Sequence, residues 1–328
     1  WRASPSWSWS DPDSFPLRPD APPLFRWNEA GHCSKHVQTH EDLAGVGALK
    51  KRSNPIAGDV NTLEGDDPFP GDRQFIVALY RGLEILRCFR PTDGALGNQE
   101  LAQRSGLPKA TVSRLTYTLS KLGYLVYIED SGKYRMGVPV LGLGYACLSG
   151  LKIRETAQPY LQELADYGGD GVMTALGGRD DFSMIYVACA RSAGMISLQL
   201  GVGSRISLAR SSMGRAYLAG VDEGEREALM EKIRTRVGED RWPQTRDGIL
   251  RSVEEIRGEG FCMNVGDWHP QVNSIGVPFR SPHSDLPTLA FNCGGPSYIL
   301  TPERLRKNLG PRLVDLVRKV AAFGNVYG

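Results

Sequence analysis

The stretch LPKATVSRLTYTLSKLGYL, residues 107–125, carries hydrogen-bonding and cationic side chains at helical spacing. Apolar residues at three- and four-residue steps share one sector of such a helix, namely Val112, Leu115, Leu119 and Leu122. The opposite face presents polar or small residues, which are Lys109, Ala110, Ser113, Arg114, Tyr117, Ser120 and Lys121. Lysine, arginine, serine and tyrosine side chains hydrogen-bond phosphates or base edges, and a small alanine lets a helix approach a groove closely. This face is therefore predicted to dock on double-stranded DNA.

A second group of chemically active residues lies near the N-terminus, in HCSKHVQTH. It places His32, Cys33, His36 and His40 together, and the last two histidines have the i, i+4 spacing that lets two side chains share one helix face. Zinc favours such ligands. However, no helical or strand pattern surrounds them and no second ligand cluster follows. We therefore predict a solvated polar stretch and no metal site.

An enzyme with a cysteine nucleophile is the alternative from a different class. Cys189, Cys262 and Cys293 are the candidates, and a nucleophilic cysteine needs a base held nearby. The only histidines in this half of the chain are His269 and His283, both beside prolines. No nucleophile elbow, phosphate-binding loop or dinucleotide fingerprint is present. We expect no enzymatic activity and no cofactor.

The distribution of charge and the spacing of the cysteines indicate where a phosphate-binding surface lies and in which compartment the protein works. The chain has 328 residues and a net charge of only +2, but the charge is unevenly distributed. Residues 71–137 hold 10 Lys/Arg against 6 Asp/Glu, whereas residues 1–70 hold 7 against 10. A phosphate-binding surface is therefore expected in the middle segment. The six cysteines show no C-x-x-C pair, no apolar run is long enough to span a membrane, and no secretory signal is visible, so we expect a cytoplasmic protein.

The helix of the opening stretch belongs to a larger predicted unit. Periodicity predicts an amphipathic helix over 73–89, with an apolar stripe formed by Phe75, Leu79, Leu83, Leu86 and Phe89. A second helix begins at Asn98 and ends at Gly106, and Pro108 suits the first turn of the third. YLVYI and KYRMG then flank EDSG as a β-hairpin. Three helices and a basic hairpin predict a winged helix-turn-helix over 71–137; a generic helical subdomain with a surface hairpin is the alternative.

Three further segments complete the organisation. Residues 1–70 are rich in Pro, Ser, Asp and Trp and lack periodicity, so they are expected to be disordered, or else to reflect where translation was assumed to start. Residues 138–151 (VPVLGLGYACLSGL) are apolar nearly all round, which favours a helix buried against a second copy of the chain. From residue 152 to 328, strands and helices alternate and predict an α+β domain.

Taken together, these motifs resemble those of IclR-family transcriptional regulators over residues 74 to about 325. The resemblance depends on five motifs in order: LAQRSGLPKATVSRLTYTLSKLGYL, YRMGVPVLGLG, SLARSSMGRAYLAG, GFCMNVGDWHPQVNSIGVPF and CGGP. It implies an α+β fold with an N-terminal winged helix-turn-helix, a linker helix and a C-terminal GAF-like mixed α/β effector-binding domain. It also implies homodimers, often paired into homotetramers, on promoter DNA. The effectors of such proteins are commonly small organic acids, including aromatic-degradation intermediates.

The resemblance also assigns residues. The positions that match its effector-facing motifs are Ile206, Ser211, Ser212, Met213, Asn264, Val272, Ser274, Asn292 and Gly294. The predicted DNA contacts come instead from the polar helix face and the basic hairpin, and they are Pro108, Lys109, Ala110, Thr111, Ser113, Arg114, Tyr117, Lys133 and Arg135. Asn264 stands where some members have an acidic side chain, and Met213 and Gly294 differ too, which bears on the identity of the effector.

A physical reason supports the first effector group. SSMGRA opens a predicted helix, where free backbone N–H groups and the helix dipole favour an anion such as a carboxylate. Ser211 and Ser212 add hydroxyl donors, and Arg205 or Arg210 is a candidate countercharge. The alternatives are that the two serines merely cap the helix and that Arg210 is a surface or interface residue. A further alternative for the whole protein is a DNA-binding oligomer whose sensor domain has lost its ligand.

Overall fold

A computed structural model describes residues 71–90, 93–193, 200–281 and 287–323, together with Phe69. The predicted leader, apart from Phe69, and the His/Cys cluster within it lie outside these residues, as does most of the strand predicted from MISLQLG. Every element named below belongs to the unit Asp72–Gly328. Across the described part of the chain, no helix combines the length and hydropathy that crossing a bilayer requires.

Three helices and a hairpin form the first domain of this unit. They are α1 (Val77–Arg87), α2 (Asn98–Ser105), α3 (Lys109–Lys121), β1 (Leu125–Ile128) and β2 (Lys133–Met136). The Glu100 carboxylate accepts the Gly97 backbone N–H at 2.8 Å and caps the start of α2. β1 pairs with β2 in antiparallel register, and Leu96 forms a bridge to Tyr134 beside them. The predicted helix-turn-helix and wing are both present.

The apolar stripes of this domain differ in part from prediction. Leu79 and Leu83 of α1 are 60% and 51% exposed, and Ile85 is the fully buried residue of that helix. Leu122, at the end of α3, is 62% exposed, whereas Thr116 is buried and donates a hydrogen bond to Asn98 Oδ1 at 3.1 Å. A three-helix domain covers only one side of each helix. The surplus apolar side of α1 and the end of α3 are therefore left uncovered by the residues that the structure describes.

The predicted apolar helix follows the wing as α4 (Val138–Gly150). None of its side chains is buried, and Val138, Leu141 and Tyr145 are 81%, 72% and 71% exposed. It carries no charged residue. Within the described residues only Leu148 of this helix packs on the effector-domain core, and such an uncharged, exposed apolar helix is typical of protein–protein contact surfaces.

The remaining elements form a six-stranded sheet with helices on both faces. The helices are α5 (Ile153–Gly168), α6 (Ser212–Gly220), α7 (Glu223–Val237), α8 (Trp242–Glu259), α9 (Pro302–Arg304) and α10 (Gly310–Phe323), the last two joined by a π-helical turn (Leu305–Leu309). The strands are β3 (Met173–Asp180), β4 (Ser183–Arg191), β5 (Arg205–Ser207), β6 (Cys262–His269), β7 (Val272–Phe279) and β8 (Leu289–Pro296). Their order is β5-β4-β3-β8-β7-β6, and all neighbouring pairs are antiparallel. The predicted α+β class is confirmed, and β5 is a strand that the pattern did not reveal.

The two sheet faces have separate cores because strand side chains alternate between them. On β3, Leu176 packs with α5 and α10, whereas its neighbour Ala175 packs with α6. The start of α6 lies very close to β7, since a Cβ on Gly276 would meet the Ser212 carbonyl oxygen at 2.3 Å. Glycine at this position therefore lets the helix N-terminus rest on the sheet, which places Ser211 and Ser212 over the strands.

Candidate functional site

The outer face of α3 carries most of the predicted DNA contacts. Its exposed members are Pro108, Lys109, Ala110, Ser113, Arg114 and Tyr117, while Thr111 is half-buried. Lys109 and Arg114 pair with no carboxylate among the residues that the structure describes. The ammonium of Lys121 lies 5.4 Å from the Tyr117 ring centroid, a cation–π distance. The face is therefore polar, cationic and open to solvent along the first three turns of the helix.

The two predicted cations of the wing have different environments. Lys133 Nζ lies 3.2 Å from Glu100 Oε2 of α2, and this carboxyl has a lowered pKa because it accepts the Gly97 N–H and pairs with Lys133. Arg135 on the same strand is exposed. Since exposed pairs of this kind are weak, Lys133 can leave Glu100 to bind a phosphate. Arg135 can bind a phosphate without first breaking an ion pair among the described residues.

A small cavity of about 20 Å³ lies where α6 begins over the sheet. Its walls come from β4, β5, β6, β7, β8 and the start of α6, and the lining residues are Tyr186, Leu200, Ile206, Ser211, Ser212, Trp268, Val272, Ser274, Asn292 and Gly294. Seven of these were predicted from the sequence. Tyr186, Leu200 and Trp268 were missed. Tyr186 follows from strand alternation on β4, whereas Trp268 is placed by a register shift between Val265 and His269 that no sequence pattern signals.

The two serines at the start of α6 have different roles. Ser211 is the N-cap: its Oγ accepts the Gly214 N–H at 3.0 Å and donates to the Ser207 carbonyl at 2.6 Å. Ser212 is fully buried, and its Oγ has no hydrogen-bond partner among the described residues. Capping therefore accounts for Ser211 and leaves the Ser212 hydroxyl free to face the pocket.

A second polar group in the pocket is equally under-satisfied. Asn292 is 8% exposed, and its Nδ2 donates to the Tyr186 hydroxyl at 3.3 Å, but its Oδ1 lacks a partner among the described residues. Burial raises the pKa of Tyr186 to about 12, so its phenol is neutral at ordinary pH. The pocket thus combines apolar walls with two neutral, unpaired hydrogen-bonding groups.

Two predicted effector residues lie outside the pocket lining. Met213 is fully buried and packs against β3, where a Cβ on Gly177 would come within 2.5 Å of its Sδ. Asn264 donates from Nδ2 to the Arg210 carbonyl at 2.6 Å and accepts the Trp268 N–H at 3.1 Å. Asn264 therefore holds the loop before α6 and positions Trp268, instead of facing the cavity.

The expected cationic countercharge is not in the pocket. Arg205 pairs with Asp180, and Arg210 donates from Nη2 to the Asp267 carbonyl at 2.6 Å. On β5, Ile206 takes the inward position, so its neighbour Arg205 must point outward. The nearby guanidinium of Arg215 is buried, and it pairs with Asp267 Oδ2 at 2.8 Å. Any anion in this pocket would meet backbone N–H groups and hydroxyls instead of an arginine.

Two of the three candidate cysteines lack the properties of a catalytic nucleophile. Cys262 and Cys293 are fully buried, and burial raises the pKa of each thiol to about 12. They are therefore neutral thiols at ordinary pH, whereas the thiolate is the reactive species. His269 Nδ1 accepts the Gln271 N–H within the β6–β7 turn, and His283 lies outside the described residues.

Comparison with known proteins agrees with this architecture. The IclR helix-turn-helix domain matches residues 78–129, and the bacterial transcriptional regulator IclR C-terminal domain matches residues 145–322, more than half of the chain. The HTH-type transcriptional regulator TsaQ1/TsaQ2 of Comamonas testosteroni is 33% identical over 247 residues, which cover 75% of this chain and 87% of that protein.

Solved structures extend the comparison. The crystal structure of an IclR-family transcriptional regulator from Brucella abortus is similar with a TM-score of 0.72 and 44% identity, over 79% of this chain and 97% of that one. An IclR homologue from Microbacterium hydrocarbonoxydans, complexed with 4-hydroxybenzoate, has the same fold, with a TM-score of 0.57, 21% identity and coverage of 76% and 98%. The chain therefore belongs to the IclR family, and it is a DNA-binding transcriptional regulator, not an enzyme.

Proposed function

We propose that a small organic acid of the aromatic class binds in the pocket beside α6 and controls the affinity of this regulator for its operator. The observation that carries the proposal is the pair of buried, unpartnered atoms, Ser212 Oγ and Asn292 Oδ1. Leaving a buried polar atom unsatisfied costs about 1–3 kcal/mol, so such atoms normally have a partner. A ligand with polar groups would supply one for each.

The start of α6 favours an acid. The backbone N–H groups of Ser212 and Met213 lie in the first turn of the helix, where helix geometry provides no intrahelical acceptor. These donors and the helix dipole stabilise a carboxylate without a cationic side chain. The absence of arginine and lysine from the described lining therefore does not argue against an acid.

The other walls favour an aromatic ring. Trp268 and Tyr186 provide aromatic surfaces, and Leu200, Ile206 and Val272 provide aliphatic ones. The cavity is only about 20 Å³, roughly the room of one water molecule, so a single ring enters only if the side chains of the lining move apart. The Microbacterium homologue of the same fold holds 4-hydroxybenzoate, a ligand of this chemical class.

The DNA side of the proposal assigns the exposed face of α3 to the major groove, with the wing on the flanking backbone. The proposed contacts are Pro108, Lys109, Ala110, Thr111, Ser113, Arg114, Tyr117 and Arg135, with Lys133 joining if it leaves Glu100. Lys109 and Arg114 supply phosphate contacts, since both are exposed and unpaired within the described residues.

The active species is proposed to be a homodimer, with homotetramers formed from paired dimers. Two apolar surfaces support this: α4 apart from Leu148, and Leu79 and Leu83 of α1 with Ile76 just before it. Both belong to or adjoin the DNA-binding domain, so pairing there sets the spacing of two α3 helices on DNA. In this organisation, residues 71–137 bind DNA, 138–151 link and dimerise, and 152–328 bind the effector.

The test combines ligand binding with operator binding. At 100 times its Kd, a ligand such as 4-hydroxybenzoate stabilises the folded state by about 2.7 kcal/mol, which raises the Tm by roughly 5–10 °C. It should also change the Kd for a duplex taken from the promoter region upstream of the gene. Ser212→Leu fills the pocket and should abolish both effects while leaving ligand-free operator binding intact.

The matched control is Thr235→Leu, on an exposed position of α7, which should behave as the wild type. If single-ring aromatic acids neither raise the Tm nor change operator affinity, the proposed effector class is wrong. Operator binding that no small acid alters would favour the alternative of a sensor domain without a ligand.

A further inference from the structure

A single carboxylate connects the DNA-binding domain with the effector domain. Asp180 lies at the end of β3, and its Oδ1 accepts a hydrogen bond from Arg87 Nη2 at 2.8 Å. Its Oδ2 accepts a second hydrogen bond from Arg205 Nη2. Arg87 is the last residue of α1, and Arg205 is the first residue of β5. Each oxygen of Asp180 therefore holds the guanidinium of a different domain.

The Arg205 end of this link is joined to the effector pocket. Ile206, the next residue on β5, is 5% exposed and lines the pocket. Because side chains alternate along a strand, β5 presents Ile206 to the pocket and Arg205 to Asp180. The loop after β5 is also tied to the β3–β4 turn, because the Leu208 N–H donates to the Phe182 carbonyl at 3.0 Å. A shift of β5 on ligand binding would therefore reach Asp180 through two neighbouring contacts.

The Arg87 end has a second partner within reach. Arg87 Nη1 lies 3.3 Å from Glu84 Oε1, one turn earlier on α1. Arg87 can therefore release Asp180 without losing all carboxylate contact, which lowers the barrier to switching. The side chains of Arg87, Asp180 and Arg205 are 44%, 33% and 46% exposed, so each pair is individually weak. Weak contacts suit a link that must open and close, because only modest differential ligand binding is needed to shift it.

We propose that Asp180 is the positioning residue that couples the effector pocket to the DNA-binding domain. In the ligand-free state, the Arg87–Asp180–Arg205 bridge fixes the orientation of α1, and with it α3, relative to the sheet. Ligand contact with Ile206 displaces Arg205 and loosens the bridge, which changes operator affinity. The proposal rests on the proposed function, since it needs operator binding and an effector in the pocket.

The first test is a charge-reversal cycle in the ligand-free protein. Arg87→Glu, Asp180→Arg and the double variant are titrated with a fluorescent duplex from the upstream promoter region. Each single variant should change the operator Kd. The Kd of the double variant should lie at least threefold closer to the wild-type value than the two single effects multiplied together predict, because the double variant rebuilds the pair in reverse. Glu303→Gln, which breaks the exposed pair with Lys307, is the matched control and should leave the Kd unchanged. Strictly additive changes in the cycle would overturn the proposal.

The second test measures coupling with 4-hydroxybenzoate as the probe. Asp180→Asn should bind the ligand at least as tightly as the wild type by calorimetry, because no bridge has to open, yet the ratio of operator Kd values with and without ligand should fall towards one. A variant that keeps the full wild-type ratio would also overturn the proposal. If the wild type binds the operator but ignores the ligand, the proposed effector class fails and the charge-reversal cycle alone decides on the bridge. A wild type without operator affinity would refute both.

Discussion

Replacing Asp267 by asparagine should destabilise the effector domain far more than removal of an ordinary surface carboxylate. Arg215, on α6, has a side chain only 4% exposed, and Asp267 is its carboxylate partner at 2.8 Å. The Nε of Arg215 also donates to the Ala209 carbonyl at 3.1 Å. The guanidinium fits only because residue 248 is glycine, since a Cβ there would lie 2.4 Å from Arg215 Nη2. Asp267→Asn therefore leaves a buried cation without its countercharge.

The magnitude follows from the burial of the two partners. Breaking a fully buried pair costs about 3–5 kcal/mol, because the remaining charge is uncompensated. The Asp267 side chain is 34% exposed, so solvent screens part of the interaction and the expected loss is about 2–3 kcal/mol. For a domain of this size, the Tm should fall by roughly 4–12 °C. Asp315→Asn, which breaks an exposed pair with Lys319, should cost no more than about 0.5 kcal/mol.

The assay is urea and thermal unfolding followed by tryptophan fluorescence. Arg215→Met provides the decisive comparison, because it removes the buried charge and replaces it with an apolar side chain of similar length. The Asp267→Asn/Arg215→Met double variant should be more stable than Asp267→Asn alone. If Asp267→Asn destabilises the protein no more than Asp315→Asn does, or if the double variant is the less stable of the two, the buried-charge argument is refuted.

Three other outcomes are expected. Arg114→Ala should weaken operator binding and reduce the slope of log K against log salt by about 0.9, the value of one phosphate contact, in anisotropy titrations. Leu141→Asp should shift the protein towards monomers in sedimentation experiments, because it puts a charge on the uncovered apolar surface of α4. The free energy of unfolding should fall as the pH rises from 9 towards 12, since Cys262 and Cys293 ionise near pH 9 only in the unfolded chain.

Each of these has a matched control. Lys307→Ala, on the effector domain, should leave the salt slope unchanged, and an equal drop there would contradict a specific role for Arg114. Tyr298→Asp alters a residue that is 69% exposed outside α4 and should leave the oligomeric state intact. Substituting both cysteines by alanine should reduce the slope of the free energy of unfolding against pH above pH 9, by up to about 1.4 kcal/mol per pH unit for each thiol. An unchanged pH profile would show that the thiols titrate alike in both states.

Local sequence patterns predicted the DNA-binding domain well because its elements are set by neighbouring residues. Helical periodicity and the short GLP connection between α2 and α3 specify a helix-turn-helix, and the EDSG turn specifies the wing. The error at Leu122 has a simple cause. Periodicity identifies the apolar sector of a helix but not how far along that helix other elements pack on it. Leu122, just after the last residue of α3, is therefore exposed although it belongs to the apolar sector.

The pocket could be predicted only where short motifs fall at its rim. Ser212 lies in such a motif and Asn292 directly precedes one, whereas Trp268, although it is part of a motif, reaches the pocket through an irregular stretch of β6. The destinations of Arg205 and Arg210 were also beyond sequence patterns, because their partners are far away in the chain. Long-range ion pairs depend on how strands are ordered in the sheet, and the five antiparallel pairings become known only with the fold.

The neutrality of the pocket lining has a consequence for what the protein can sense. Among the lining residues that the structure describes, only Tyr186 titrates, and its pKa of about 12 lies far above ordinary acidity changes. The adjoining segment 194–199 (GMISLQ) contains no ionisable side chain either. Between pH 5 and 9, roughly the interval that histidine-based sensors exploit, this cavity neither gains nor loses a proton. A pH dependence of ligand affinity that arises within this lining would therefore report the ionisation of the bound compound itself.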